Sequence, residues 1–465
     1  MNFNSISFFI FLPAVFILYW AFFSSRNKYR NLFILFISYL FYAWWDWRFL
    51  GLICASTLVD FFIAKRLARS EDCKIRKRLL NASLVFNLGM LGIFKYFNFF
   101  ANELFQLTEK IGFHLDFISL SIVLPVGISF YTFQTLSYTI DVYRKEMRHT
   151  ESIVDFAAYV SFFPQLVAGP IERASALLPQ FENEISFEFS KVKSGLRLIV
   201  WGFFKKIVIA DSLGPIVDQV FSDPSSQSGV TLVLGAVFFA FQIYGDFSGY
   251  SDIAIGSAKL LGFDLMSNFK FPYFARDIAE FWKRWHISLS SWFRDYLYKP
   301  MGGSRVIRPL VIRNIFIIFL VSGLWHGANW TFVVWGFIHA IFFIPTIYLP
   351  KGVFSSKNLI FGRIIDLSKM ILTFSLVCVG WVFFRSESIS HAAEYLYSFS
   401  WTYDETVIGY ILYPITLLIL EFFIRKDERL EKIDLGRLET LVVSFFVFTI
   451  IIFRQSKIDF IYFQF

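Results

Sequence analysis

Residues 309–349 read PLVIRNIFIIFLVSGLWHGANWTFVVWGFIHAIFFIPTIYL. Two apolar runs, 309–325 and 329–349, flank a short interruption that carries His326. Each is close to the roughly 20 residues a helix needs to cross a hydrocarbon core. The pair therefore reads as two membrane spans with an ionisable side chain between them. Working outward, comparable runs recur at 6–23, 31–45, 49–64, 79–100, 117–139, 153–171, 195–211, 230–247, 366–384, 409–424 and 438–453. The run 117–139 contains Pro125 and Gly127, and 153–171 contains Pro164, Gly169 and Pro170. These two are expected to be broken or re-entrant, which is tolerated only where protein or a cavity covers the backbone. The fold expected is an all-α polytopic membrane protein with about 11–13 membrane helices, broken ones included.

Composition agrees. Of 465 residues, 56% are hydrophobic, 17% are charged and 63 are phenylalanine; the mean hydropathy is +0.56. A soluble domain would carry about a quarter charged residues. Ile6–Phe23 lacks a basic leader and a small-residue cleavage site, so it reads as a retained helix rather than a signal peptide. Cys54, Cys73 and Cys378 are scattered without metal-type spacing, so neither a disulfide framework nor a metal site is expected. The net charge of +8 fits basic cytoplasmic loops better than nucleic-acid binding.

Lysine and arginine set the orientation. Arg26, Lys28 and Arg30 mark the first loop as cytoplasmic, and Lys65, Arg66, Arg69, Lys74, Arg76, Lys77 and Arg78 the third. The turn between them, WWDWR (44–48), has one arginine and tryptophans suited to an interface. The stretch RKDERLEKIDLGR (425–437) is again basic, so the run 438–453 should travel outward. Both termini are then expected on the outer face. The chain divides into a membrane core, 1–437, and a final outward helix with an aromatic tail, 438–465.

The longest break in the apolar pattern, 265–308, contains FWKRWHISLSSWFRDYLYKPMGGSR (281–305). On a helical wheel Trp282, Trp285, Leu289, Trp292, Phe293 and Tyr296 share one face. Arg284, Ser288, Ser291 and Asp295 lie opposite, Lys283 and Arg294 lie on a flank, and His286 is at the aromatic edge. The segment reads as one amphipathic helix at a membrane interface. Nine basic residues between Lys270 and Arg313 place it on the cytoplasmic side. Two readings stand: an interfacial anchor, or a basic flank that grips a phosphorylated ligand. His326 likewise reads either as a functional group, since ionisable residues at membrane depth are costly, or as a turn residue bonded to a carbonyl. Asp246 and Asp252, in QIYGDFSGYSDIAIG (242–256), are either buried and paired, with Arg284 or Arg294 as candidates, or caps of the next helix.

Together FWKRWHISLSSWFRDYLYKPMGG (281–303) and SGLWHGANWTFVVWG (322–336) resemble the membrane-bound O-acyltransferase family. YGDFSGYSDIAIG (244–256), FPQLVAGPIER (163–173) and PVGISFYTFQTLSY (125–138) are similar to its bacterial branch, which includes alginate O-acetylases. The resemblance implies a ring of helices around a thin central partition, with funnels from each face meeting near His326. By the same resemblance His326 is the catalytic histidine and His286 the second signature polar residue. The branch moves acyl groups outward onto envelope polymers.

The chemistry that follows is O-acetyl transfer. Acetyl-CoA is made in the cytoplasm and is too polar to cross the membrane, whereas the acceptor glycan is outside. A base that works near neutral pH suits histidine, and alignment of two reactants from opposite sides replaces a bimolecular encounter. Lys283, Arg284 and Arg294 are candidates to bind the phosphates of acetyl-CoA. No permanently bound cofactor is expected. With no soluble outer domain in the chain, a periplasmic acetyltransferase partner is expected to finish the transfer. Alternatives within the family are D-alanyl or other acyl transfer. Outside it, a proton-coupled transporter or flippase is opposed by the lack of internal repeats and of further charged residues within the spans.

The chain ends IDFIYFQF (458–465). Tyr462 reads either as an interfacial anchor or as an acyl carrier. Its phenol ionises near pH 10, more easily than a sugar hydroxyl, and an aryl ester remains a good acyl donor. Phe460, Phe463 and Phe465 would let the tail enter an apolar funnel. The bacterial branch resembles this chain in ending on, or pairing with, such a tail, which favours the carrier.

Overall fold

A computed structural model describes the chain except residues 2, 114–122, 168, 350–357, 399–404, 432–435, 437, 455–459 and 461–465. Among the described residues all regular structure is helical. Eight helical stretches among the described residues are long and apolar enough to cross a membrane: Ile6–Phe23, Asn27–Arg69, Cys73–Lys110, Gly229–Leu260, Arg308–His326, Trp330–Tyr348, Ile360–Arg385 and Val407–Ile424. Leu438–Phe453 is a shorter apolar helix. The chain is a multi-pass membrane protein. It divides into two compact units, one of Met1–Leu196 with Ala254–Met266, the other of Arg197–Ile253 with Ser267–Phe465.

The first unit holds α1 (Ile6–Leu18), α2 (Asn27–Asp46), α3 (Leu50–Arg69), α4 (Cys73–Leu91), α5 (Phe97–Lys110), α6 (Ile128–Arg144), α7 (Ile153–Ser161), α8 (Phe163–Leu166) and α9 (Ala174–Glu182). A single short turn, Trp47–Phe49, separates α2 from α3, and the other two tryptophans of WWDWR end α2. The run 117–139 is helical only from Ile128, after Gly127 at φ +79°; its first residues lie outside the described ones. A break at Phe162 divides the run 153–171 into α7 and α8. Buried polar ties join the helices where apolar contact alone gives little specificity in lipid. The Asp60 carboxylate of α3 accepts from Ser83, from Asn87 of α4 at 2.7 Å and from Thr139 of α6 at 2.9 Å.

α10 (Phe189–Phe203) leads into a wider π-type turn, Phe204–Ala210, and then α11 (Asp211–Ser222) and α12 (Gly229–Leu260). The second unit continues with α13 (Ile278–Arg284), α14 (Ile287–Phe293), α15 (Arg308–His326), α16 (Trp330–Phe343), α17 (Pro345–Tyr348), α18 (Leu359–Arg385), α19 (Ile389–Tyr397), α20 (Leu412–Ile424) and α21 (Leu438–Phe453). α15 and α16 form a hairpin whose backbones nearly touch. A Cβ on Gly323 would sit 2.2 Å from the Phe332 carbonyl oxygen, and one on Gly336 would sit 2.2 Å from that of Phe319. Small residues at such crossings are what allow close helix packing in a membrane. Phe446 of α21 packs against Phe204 at 4.9 Å, and Arg197 pairs with Glu439 at 2.7 Å.

The two aspartates of 242–256 are not caps, since both lie well inside α12. Nor do they meet Arg284 or Arg294. Asp252 pairs with Lys205 at 2.6 Å, and Asp246 with Lys206 at 2.7 Å. Lys206 also reaches Asp211 at 2.7 Å. The structure thus corrects the expectation that the spans hold no further charge. Two adjacent lysines lie inside the apolar run 195–211, each neutralised by a carboxylate, which is how charge persists at such depth.

Candidate active site

The segment expected as a single amphipathic helix is two short ones. α13 stops at Arg284, Trp285 is extended, and His286 adopts a left-handed conformation at φ 44°, ψ 55° before α14 begins. Asn268 fixes this break. Its carbonyl accepts from the Ile287 amide at 2.9 Å, and the Lys270 amide donates to the Arg284 carbonyl at 2.9 Å. Its side-chain oxygen takes the Ser288 hydroxyl at 2.9 Å and His286 Nδ1 at 3.1 Å, and its amide donates to Ser251 at 3.1 Å. The aromatic face does not lie on an interface either. Trp285, Leu289, Trp292 and Phe293 are buried within the protein, as is Ser288 from the supposed polar face.

An amide oxygen only accepts, so His286 Nδ1 carries the proton and Nε2 keeps its lone pair. Nε2 is buried with no hydrogen-bond partner among the described residues. Burial pushes the imidazole down to about 3, so His286 is neutral at physiological pH. The Phe247 ring meets it edge-on at 4.7 Å.

His326 is the last residue of α15 and is 4% exposed. Its ring centroid lies 6.4 Å from that of His286, 5.1 Å from that of Trp335 and 5.3 Å from that of Phe384. The two sequence-predicted histidines, forty residues apart in the chain, are therefore neighbours.

A cavity of about 350 Å³ is lined by Trp282, Lys283, Ile287, Ser290, Arg294, Phe319 and Ser322 among others; neither histidine is in its lining, although Ile287 follows His286 in the chain. Ser322 is one helical turn, about 6 Å of rise, before His326. Lys283 is exposed and makes no ion pair among the described residues. Arg294 is 58% exposed and pairs with Asp295 at 3.1 Å. Arg284 is placed differently. It is held by Glu280 at 2.6 Å and by the Lys270 carbonyl at 3.2 Å, and it does not line this cavity.

Tyr462, Phe463 and Phe465 lie outside the described residues. Phe460 is described and fully buried, against Tyr250 at 4.3 Å and Phe247 at 6.0 Å. Tyr250 in turn covers the Lys206 ammonium at 5.7 Å. Sequence reading missed Asn268, Phe247 and Ser251, which set His286. Nothing in the sequence pairs Asn268 with a histidine 18 positions on. Lys205 and Lys206 did carry a signal, as charges inside an apolar run.

A family model, MBOAT, membrane-bound O-acyltransferase family, matches residues 117–386, a span that encloses Asn268, His286, the cavity and His326. Over 407 residues the chain is 40% identical to a "probable alginate O-acetylase" of Pseudomonas aeruginosa, covering 86% of this chain and 76% of that protein. With that of Azotobacter vinelandii it is 42% identical over 392 residues, 84% and 76% of the two chains. It is 33% identical over 416 residues to the peptidoglycan O-acetyltransferase of Helicobacter pylori, 83% and 77% of the two. The chain belongs to the membrane-bound O-acyltransferase family. It is an O-acyltransferase, and this membership, rather than any lack of buried charge, decides against the transporter reading.

Proposed function

We propose that the protein takes acetyl from acetyl-CoA on the cytoplasmic side of a bacterial inner membrane and sends it outward for O-acetylation of an envelope glycan. The observation that supports this best is the cavity itself. Its lining is mostly apolar, includes Lys283 and Arg294, and includes Ser322, one turn before His326. That combination of cations, apolar wall and nearby histidine suits a donor that carries both phosphates and a thioester. Similarity to alginate and peptidoglycan O-acetylating enzymes supports acetyl as the group and a polysaccharide as the final acceptor. Both termini are then periplasmic.

His326 acts as the general base and His286, fixed by Asn268, aligns the reacting groups from the other side. The first acceptor is Tyr462. His326 takes the phenolic proton, the Tyr462 oxygen attacks the thioester carbonyl, a C–O bond forms and the C–S bond breaks. The CoA thiolate leaves and receives the proton from the imidazolium. The buried seat of Phe460, beside the Phe247 that touches His286, favours this acceptor. A periplasmic partner then carries acetyl from Tyr462 to the glycan. Mass spectrometry of envelope glycans from cells expressing wild type, His326→Ala and Tyr462→Phe tests the scheme. O-acetylation should be lost in both variants at normal protein levels; its persistence in Tyr462→Phe would mean that acetyl travels by another route.

A further inference from the structure

His339 lies on α16, one turn beyond Trp335. It is fully buried, and neither ring nitrogen has a hydrogen-bond partner among the described residues. Its surroundings are aromatic. Trp335 is 4.9 Å away between ring centroids, Trp282 5.1 Å, Phe319 6.2 Å and Trp381 6.5 Å. The three tryptophans share its condition. Nε1 of Trp282, of Trp335 and of Trp381 is buried without an acceptor among the described residues. They are also in contact with one another, Trp282 with Trp335 at 5.7 Å and Trp335 with Trp381 at 6.0 Å. Buried polar groups are nearly always hydrogen-bonded, so four side chains with unmatched nitrogens in one cluster form a feature that asks for a ligand.

The position of the cluster says which ligand. Trp282 and Phe319 line the cavity, and Trp335 packs on His326 at 5.1 Å. The cluster therefore lies between the cavity and the catalytic histidine. An indole nitrogen only donates, and a neutral imidazole adds one donor and one acceptor. Donors are in excess, so the complementary group is a run of carbonyl oxygens. The inference rests on the donor reading above, because the arm of acetyl-CoA between phosphates and thioester carries amide carbonyls. We propose that Trp282, Trp335, Trp381 and His339 form a hydrogen-bonding station that takes these amide carbonyls and holds the thioester in register with His326. Lys283 and Arg294 act on the phosphates, and the station acts on the arm.

The test compares three donors on purified full-length protein, with the second-order rate constant of single-turnover thiol release, equivalent to kcat/KM, as the readout, because Tyr462 accepts once per chain. Acetyl-CoA has phosphates and amides, S-acetylpantetheine has amides only, and S-ethyl thioacetate has neither. His339→Phe keeps the ring and removes both nitrogens. It should lower kcat/KM about tenfold for acetyl-CoA and S-acetylpantetheine, the loss of roughly one well-made hydrogen bond, and leave S-ethyl thioacetate within about twofold. Lys283→Ala should affect acetyl-CoA alone. Equal loss on all three donors would make His339 a packing residue and overturn the inference, as would no loss on any. If His339→Phe is not recovered folded, Trp282→Phe on the cavity wall carries the same comparison. Wild-type protein that releases thiol from none of the donors overturns the donor reading; normal wild-type turnover with an unchanged donor profile in the variants overturns the station alone.

Discussion

His286 shows how a single side chain is tuned by what encloses it. The amide oxygen of Asn268 fixes the proton on Nδ1, and burial removes the water that would stabilise a second one. This has a consequence for stability. In the unfolded chain the imidazole takes a proton as pH falls below its ordinary value of 6.5, whereas the folded site refuses one until about 3. Above 6.5 both states are neutral and nothing is lost. Between 6.5 and 3 the unfolded state binds more protons, so folding stability falls as pH falls. His286→Asn removes the titrating group while keeping a residue that tolerates the left-handed backbone and an N–H for Asn268. Thermal unfolding in detergent across that window should show a shallower acid slope for the variant than for wild type. Equal slopes would mean that His286 can be protonated in the folded state.

Among the elements, the break between α13 and α14 does the most. The aromatic and basic residues of 281–298 were legible as the segment that matters, because their density interrupts the apolar pattern. Their arrangement was not legible. A helical wheel assumes an unbroken helix, and the left-handed turn at His286 arises from tertiary bonds to Asn268 that no local propensity encodes. Lys283 and Arg294 lie on either side of the break and both line the cavity, whereas Arg284, next to Lys283 on α13, is tied to Glu280 and to a carbonyl. The three cations should therefore behave differently. Lys283→Ala with Arg294→Ala should raise KM for acetyl-CoA about tenfold or more, since each charged hydrogen bond contributes roughly 1.5–3 kcal/mol, with kcat little changed. Arg284→Gln should leave KM alone and lower thermal stability. The dependence of single-turnover acetyl transfer on acetyl-CoA concentration in the purified variants separates these outcomes, and an affinity effect confined to Arg284→Gln would contradict the assignment.

At the scale of the whole molecule, apolar periodicity gave the helical membrane class because each span must satisfy its backbone internally. The neighbouring of His286 and His326 depends on how α14 and the end of α15 meet, which is a tertiary fact carried in the sequence only by motif. The buried Lys205–Asp252 and Lys206–Asp246 pairs were half legible, with the aspartates noticed and their partners misassigned. On the proposed scheme, acetyl passes from acetyl-CoA, through His326, to the chain's own tail. The most direct measurement incubates purified protein with isotopically labelled acetyl-CoA, digests it and maps the carboxy-terminal peptide by mass spectrometry. Wild type should carry label as an ester on Tyr462. His326→Ala, lacking a general base whose loss typically costs 10²–10⁴-fold, should not, and neither should Tyr462→Phe. Label on the tail of His326→Ala at the wild-type rate, or acetyl-CoA consumed by wild type with Tyr462 unmodified throughout the time course, would contradict the account.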